Sequence, residues 1–403
     1  MLLLRIIYIL FYEKESGQKM WLTSTLIAKT INRIIKLLRK GSGNTLPGHV
    51  ALKIFPQVFS KIKYPGGIIL VSGTNGKTTT AKLLTHLLEY FGLDVVTNKS
   101  GANLLNGIAS TVLLETKLNG RPLGDVAVFE VDEFTLPLVL KRLPPSALVL
   151  LNLSRDQLDR YGETDIIFER WKEAITNLST STIIVCDMEQ KEFHELPDIF
   201  RGNIFYFDSD PSNLGKTKLQ GSFNAKNINA AILAVNLLGY DTDTVEEGLG
   251  DFSVAYGRGE IITTPSVDYQ IFLAKNPASF NHNLEILSSD KVGGNVLLFV
   301  LNDNIPDGRD VSWIYDVDPD KIRTACSGKA IFVSGTRALD MAIRLKYAGV
   351  DIDAKNVVSD LKAVLSTFGS FTKGASPAPI VTVLPNYSAM LETREILIGR
   401  RIL

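Results

Sequence analysis

The stretch Ile68-Ile69-Leu70-Val71-Ser72-Gly73-Thr74-Asn75-Gly76-Lys77-Thr78-Thr79 constrains the fold more than any other part of the chain. Its uninterrupted apolar run, closed by a glycine turn, predicts a short buried strand. A helical pattern follows, from Lys77 to about Phe91, with Gly92 placed to end it. A strand, a glycine turn and a Lys-Thr pair opening a helix form a triphosphate cradle, because backbone N–H groups and the positive helix end face the phosphates. In such a cradle Lys77 reaches the terminal phosphates and the Thr78 hydroxyl is a Mg²⁺ ligand. The general phosphate loop has a glycine five residues before Gly76, where this chain has Val71, so the loop is a compact variant.

Further apolar runs at 126–131, 147–151 and 182–186 read as strands, with a helical pattern between them at 136–142. Strands alternating with helices imply a parallel sheet covered on both faces. A second α/β region follows the Tyr256-Gly257-Arg258-Gly259 stretch, with strands expected at 269–274, 296–301, 330–334 and 380–384 and a helix at 339–347. The expected fold is α/β. A central phosphate-loop domain with a parallel sheet occupies 46–257, after an N-terminal helical segment at 1–45. A smaller Rossmann-like α/β domain occupies 258–403.

Bulk composition removes several classes. The 403 residues carry 43 Lys+Arg and 43 Asp+Glu, so no global field attracts nucleic acid. The two cysteines, Cys186 and Cys326, are far apart with no second ligand at metal spacing, which excludes a disulfide framework and fits a reducing cytoplasm. The apolar run Met1–Tyr12 is too short to span a bilayer and lacks a small-residue cleavage site directly after it, so no signal peptide is expected; Met20 is an alternative start. A helix is expected at 21–39. Leu26, Ile27, Ile31, Ile34, Ile35 and Leu38 form an apolar stripe beside Lys29, Arg33, Lys36, Arg39 and Lys40. That pattern fits either a packed N-terminal helix or affinity for a membrane surface.

Several motifs lie outside the loop. Glu130, in Phe129-Glu130-Val131-Asp132-Glu133, ends a strand where a carboxylate can hold Mg²⁺ beside the phosphates. Then come Asn152-Leu153-Ser154-Arg155-Asp156-Gln157-Leu158-Asp159-Arg160-Tyr161-Gly162, Lys172, Gly221-Ser222-Phe223-Asn224-Ala225-Lys226-Asn227 and Arg258. The C-terminal third adds Lys275-Asn276-Pro277, a block from Asn302-Asp303-Asn304 through Asp307-Gly308-Arg309-Asp310-Val311-Ser312-Trp313-Ile314-Tyr315-Asp316, and Ser334-Gly335-Thr336-Arg337 leading into a helix.

In kind and order these motifs resemble the Mur ligases, and the C-terminal blocks narrow the resemblance to the MurT family of synthetase subunits, over about 46–350. The resemblance implies an ATP- and Mg²⁺-dependent carbon–nitrogen ligase. The nucleotide would be held by Gly73, Thr74, Asn75, Gly76, Lys77, Thr78 and Thr79, with Asn224 and Asn227 near the adenine and Arg258, Lys275 and Asn276 reaching in from the domain junction. Metal would be held by Thr78, Glu130 and, if carbamylated, Lys172, which lies fifteen residues beyond Gln157. Lys77 and Arg258 would stabilise phosphoryl transfer to a carboxylate. The acceptor would be the α-carboxyl of D-glutamate in lipid II, amidated by ammonia from a GatD-type glutamine amidotransferase in a heterodimer. The work would be done in the cytoplasm, at the inner membrane face.

The family also implies that the synthetase lends a carboxylate to its partner's Cys–His pair. Asp316 is favoured for this, beside Trp313 and Tyr315. Asp310 is placed to cap 311–315, and Asp307-Gly308 has the form of a turn. The chain departs from the family pattern at Gln157 and Phe223, where relatives carry histidine, and at Phe272, where Mur ligases carry a ribose-binding aspartate. It also has no four-cysteine zinc ribbon; the stretch 197–210 stands in its place. Cys326 has no His nearby, so an internal glutaminase is not expected. Two other readings fit the sequence: a stand-alone Mur-like or folylpolyglutamate-synthetase-like ligase that adds an amino acid, and a nucleotide-binding scaffold without catalysis. No structural zinc is expected, and elemental analysis of chelator-washed protein should find far less than one zinc per chain.

Overall fold

A computed structural model of the chain describes residues 17–38, 44–98, 102–154, 164–252, 256–288, 294–371 and 379–399. The apolar run at 1–12, Arg39 and Lys40, and the part of the 152–162 motif from Arg155 onward, Gln157 included, lie outside these residues.

Among the described residues there are two sheets. The first has six strands: β1 (Ile68–Ser72), β2 (Val95–Thr97), β3 (Val126–Glu130), β4 (Ala147–Leu150), β5 (Ile183–Asp187) and β6 (Asn203–Phe207), in the order β2-β3-β1-β4-β5-β6. Every pairing in it is parallel. Every residue of β1, β3 and β4 is buried, as a parallel sheet covered on both faces requires. Successive residues feed opposite cores. Ile68, Leu70, Ala127, Phe129, Leu148 and Leu150 join the core beneath the helices Leu105–Leu114, Leu136–Leu140 and Thr164–Thr176. Ile69, Val71, Val126, Val128, Ala147 and Val149 join the core under Lys77–Tyr90 and Ser222–Leu237. The chain passes from β1 to β3 on one side and to β4 on the other, so the crevice at the carboxyl end of β1 is the switch point where such sheets bind ligands.

The second sheet comprises β7 (Arg258–Thr263), β8 (Asp268–Phe272), β9 (Val296–Val300), β10 (Ala330–Ser334) and β11 (Ile380–Pro385), in the order β10-β9-β11-β8-β7. Only β7 runs antiparallel, with an irregular register between Arg258 and Glu260. Three strands were not anticipated. β2 is three residues long, and β6 is an edge strand whose apolar run Ile204-Phe205-Tyr206-Phe207 is only partly buried. β7 is polar at its start because Arg258 and Glu260 are used rather than buried in a core. Most of the stretch expected to replace a metal ribbon is thus the sixth strand of the first sheet and its approach.

The N-terminal helix Gly17–Leu38 packs on the helices Leu46–Ile54 and Leu105–Leu114 through Trp21, Ser24, Thr25 and Ala28. The two partner helices cross closely at Gly48, whose N–H donates to Ser110 Oγ at 2.7 Å. A Cβ at Gly48 would lie 2.0 Å from the Asn106 carbonyl oxygen and 2.5 Å from the Ser110 nitrogen. Both are backbone atoms, so relief requires the helices to separate. Gly48→Ala is expected to destabilise the chain by about 1–3 kcal/mol in urea unfolding. Gly215→Ala, where nothing lies within 4 Å of the added carbon, should change little by comparison.

Candidate active site

The loop at 73–78 is held from the neighbouring strand end rather than by its own turn. Just beyond β4, Asn152 accepts from the Thr74 N–H through its carbonyl at 2.9 Å and from the Asn75 N–H through its side chain at 3.0 Å. Its amide donates back to the Asn75 carbonyl at 3.0 Å. Ser154 continues the brace: its N–H donates to Thr74 Oγ1, whose hydroxyl donates to the Ser154 carbonyl, each at 3.1 Å. Gly73 (φ +142°) and Gly76 (φ +87°) adopt backbone that a side chain would strain, and the neighbours leave no room for one. A Cβ on Gly73 would meet Asn152 backbone at 2.9 Å, and one on Gly76 would meet Asn227 Oδ1 at 2.2 Å.

Asn224 and Asn227 are buried in the first turns of the helix Ser222–Leu237. Asn227 accepts from Thr80 Oγ1 at 3.3 Å and donates to Asn224 Oδ1 at 2.9 Å. These contacts brace the phosphate loop from behind. The asparagines were expected near the adenine; here Asn227 bonds Thr80 of the helix behind the loop and Asn224 donates to the Gln220 carbonyl. Phe223, which stands for a family histidine, stacks on His282 with ring centroids 4.9 Å apart and closes the seam to the second sheet.

Lys77 is buried and points back under the loop. Its Nζ donates to the carbonyls of Gly73 and Thr74 and lies 3.0 Å from Glu133 Oε2, which is also buried. The Glu133 backbone is fixed in turn by Trp171, whose indole N–H donates to its carbonyl at 2.7 Å. Thr78 is exposed, and its hydroxyl donates to Glu130 Oε2 at 2.8 Å. Asn103 donates to the other carboxylate oxygen at 3.3 Å, and Asn98, beyond β2, bonds both the N–H and the carbonyl of Glu130. Thr78 and Glu130 thus offer two facing hard oxygen donors. This suits Mg²⁺, which takes one or two protein oxygens and fills its octahedron with phosphate and water. Among the described residues no group of three or more His, Cys, Asp or Glu forms a closed metal cage. Asp132 instead caps the next turn, accepting from the Phe134 and Thr135 N–H groups.

Arg258, the first residue of β7, feels Glu130: burial lowers its pKa and the carboxylate works against that shift. The second sheet also touches the loop directly. Lys275 Nζ donates to the Thr74 carbonyl at 3.4 Å, and the Asn276 amide donates to Asn75 Oδ1 at 3.2 Å. Asn276 is set by a capping box with Ser279 at the start of the helix Pro277–Leu287. Phe272 is buried in the core of the second sheet, so no acidic group stands at that position.

Lys172, expected as a carbamylated metal ligand, is paired with two carboxylates here. Its ammonium bridges Glu169 at 2.7 Å and Glu195 at 2.8 Å, and these partners raise its pKa. Carbamylation needs the neutral amine, which such pairing disfavours. Of the three aspartates considered for a partner, Asp307 is buried and accepts from the N–H and hydroxyl of Ser388, in the first turn of the helix Tyr387–Ile398. Asp310 accepts from the Ser312 N–H at 2.8 Å, a local cap. Asp316 is exposed beside the half-exposed Tyr315, while Trp313 packs edge-on against Phe280. Asn98, Asn103, the loop-bracing role of Asn152 and Ser154, and the pairing role of Glu133 were not picked out from the sequence. Asn98 and Asn152 follow strand ends, which was the one available signal.

A nucleotide-type loop at the switch point of a parallel sheet, tied to a second α/β sheet by two side-chain contacts, defines the class as Mur-ligase-fold proteins. The Mur ligase middle domain family matches residues 71–210 and the MurT ligase C-terminal family matches residues 273–390. The chain is 31% identical to the lipid II isoglutaminyl synthase (glutamine-hydrolyzing) subunit MurT of Staphylococcus aureus strain N315, covering 90% of this chain and 95% of that one. It is 28% identical to the MurT subunit of Streptococcus pneumoniae strain ATCC BAA-255 / R6, over 91% and 95%. Among solved structures, MurF from Thermotoga maritima in complex with ADP superposes with a TM-score of 0.64 at 16% identity, over 88% of this chain and 83% of that one. Mycobacterium tuberculosis folylpolyglutamate synthase superposes at 0.61 with 18% identity, over 92% and 99%. This chain belongs to the MurT family.

The Lys77–Glu133 pair changes what a loop mutation should do. Lys77→Ala strands a buried carboxylate, so besides abolishing nucleotide-dependent turnover it is expected to cost about 3–5 kcal/mol of stability. Lys77→Ala combined with Glu133→Ala should recover much of that stability in urea unfolding and none of the turnover. Wild-type stability in the single variant would show that the pair is not buried in solution.

Proposed function

We propose that the chain is the ATP-dependent synthetase subunit of a glutamine-hydrolysing lipid II isoglutaminyl synthase. In this reading an α-carboxylate oxygen of the D-glutamate in a lipid-linked peptidoglycan precursor attacks the γ-phosphorus of ATP. ADP leaves with the electron pair of the broken P–O bond, giving an acyl phosphate. Ammonia then attacks the acyl carbon, the C–O bond to phosphate breaks, nitrogen loses a proton, and the products are the amide and inorganic phosphate.

The observation that carries the reading is convergence. Lys77, Thr78, Glu130 and Arg258 meet around one loop, and Lys275 and Asn276 join it from the second sheet. Lys77, once drawn toward phosphate oxygens, keeps a cation at the migrating group, and Arg258 adds a second. Thr78 and Glu130 would hold Mg²⁺, whose charge would offset that of the phosphates. The loop N–H groups and the helix end behind them hold the phosphates in register.

Ammonia comes, in this reading, from a GatD-type glutamine amidotransferase in a heterodimer. Both cysteines of this chain are buried, and burial pushes each thiol up to about 12, so neither supplies a thiolate at neutral pH. We assign Asp316 as the carboxylate lent to the partner, since it is exposed at the surface beside the half-exposed Tyr315. A lipid-linked acceptor sets the reaction at the inner face of the cytoplasmic membrane. The reconstituted complex should amidate lipid II with glutamine and ATP, releasing one ADP per amide. Asp316→Asn is expected to lose glutamine-dependent amidation while keeping activity with added ammonium. Loss of both activities would put Asp316 in the ligase site or the fold, and ADP release without amide would overturn the reaction itself.

A further inference from the structure

The helix Gly17–Leu38 is anchored on one side only. Trp21, Ser24, Thr25 and Ala28 are at most 3% exposed and face the helices Leu46–Ile54 and Leu105–Leu114. At about 100° per residue, Leu22, Leu26, Arg33 and Leu37 fall within an arc of about 60° on the opposite side, with Ile34 at its flank. Leu22 is 40% exposed, Leu26 45%, Ile34 47% and Leu37 83%, so four large apolar side chains share one outward surface. The helix carries Lys19, Lys29, Arg33 and Lys36 and no Asp or Glu, although the whole chain balances 43 Lys+Arg against 43 Asp+Glu. No helix among the described residues is long and apolar enough to cross a membrane.

We infer that this outward face docks on an anionic lipid surface. Apolar side chains that reach below the headgroups, rimmed by cations that pair with them, are the combination by which a helix lies in a membrane interface. A second copy of the chain is a poorer occupant, because two such faces would bring like charges together. The placement also suits the site. The helix rests on Leu105–Leu114, and Asn103, two residues before that helix, donates to Glu130. A membrane held against Gly17–Leu38 therefore lies one helix away from the carboxylate of the phosphate site, within reach of a lipid-linked acceptor. The inference builds on the proposed function only in that last point.

The test uses the full chain and vesicles of phosphatidylcholine with about one third phosphatidylglycerol, free of any peptidoglycan precursor, so the result is independent of the reaction. The chain should sediment with these vesicles at low salt, less at high salt, and little with phosphatidylcholine alone. Leu26→Glu with Leu37→Glu should weaken binding at least tenfold, and Arg33→Glu should weaken it by a smaller factor. All three positions are exposed, so thermal midpoints should hold; if the glutamate pair does not fold, Leu26→Gln with Leu37→Gln replaces it. Absent vesicle binding, or binding that survives the leucine variants, would overturn the inference. So would vesicle-independent self-association that the variants abolish, or binding of these residues to the amidotransferase subunit instead.

Discussion

The reciprocal bonding between Asn152 and the loop at 74–75 is the constraint on which the rest of the site depends. A glycine loop is conformationally loose by composition, and a phosphate cradle works only if its N–H groups already point inward. Here the freedom of the glycine loop is removed by Asn152, which bonds the Thr74 and Asn75 backbone, while Asn227 packs close behind Gly76. Once the loop is fixed, Lys77 and Thr78 are fixed with it as the first residues of one helix. Glu130 needs only the next strand end to face Thr78. The cradle is thus built by three neighbouring strands, β3, β1 and β4, ending at the same height.

The second sheet contributes little side-chain bonding to the first but places it where it matters. Lys275 meets Thr74 and Asn276 meets Asn75, each pair 201 residues apart, so the contact is one rigid β-end set against the loop. Asn276 can do this because Ser279 and a proline-started helix hold it in extended backbone. Arg258 comes from the antiparallel edge strand, whose Glu260 also pairs with Arg394 of the last helix. The cations that reach the site from this domain are therefore anchored in its fold rather than in flexible connections, which favours positioning over mere charge.

What the sequence made legible follows from local physics. The loop, the buried strands and the Thr78–Glu130 relation were readable because a glycine turn between an apolar run and a helix has few other uses. The three missed strands lack that signal: β2 is short, β6 is half exposed, and the start of β7 is polar. Asn98, Asn103 and the bracing role of Asn152 were missed because asparagine after a strand looks like a turn former, and only three-dimensional packing shows which backbone group it holds. Lys172 shows what spacing leaves out. Its spacing from Gln157 matched a family metal lysine, and in the structure its ammonium pairs with Glu169 and Glu195.

Three of the four aspartates in the 302–316 block, Asp307, Asp310 and Asp316, show how one motif divides its labour. Asp307 is buried, and desolvation raises its pKa even as the Ser388 hydroxyl and N–H pull against that rise. A carboxylate spent on the first turn of the helix Tyr387–Ile398 holds η-turn and helix together and has little left for another protein. Asp310 is exposed but turned onto its own chain, and the Ser312 bonds keep its pKa low. Asp316 closes a segment whose Ile314 is buried in the core and whose Ile314 and Val317 carbonyls are gripped by the buried Arg344. Its side chain thus stands on a rigid platform at the surface, next to Tyr315. A carboxylate that must orient a histidine on another subunit needs that combination of a fixed base and an accessible tip, which is why we propose Asp316 for that role.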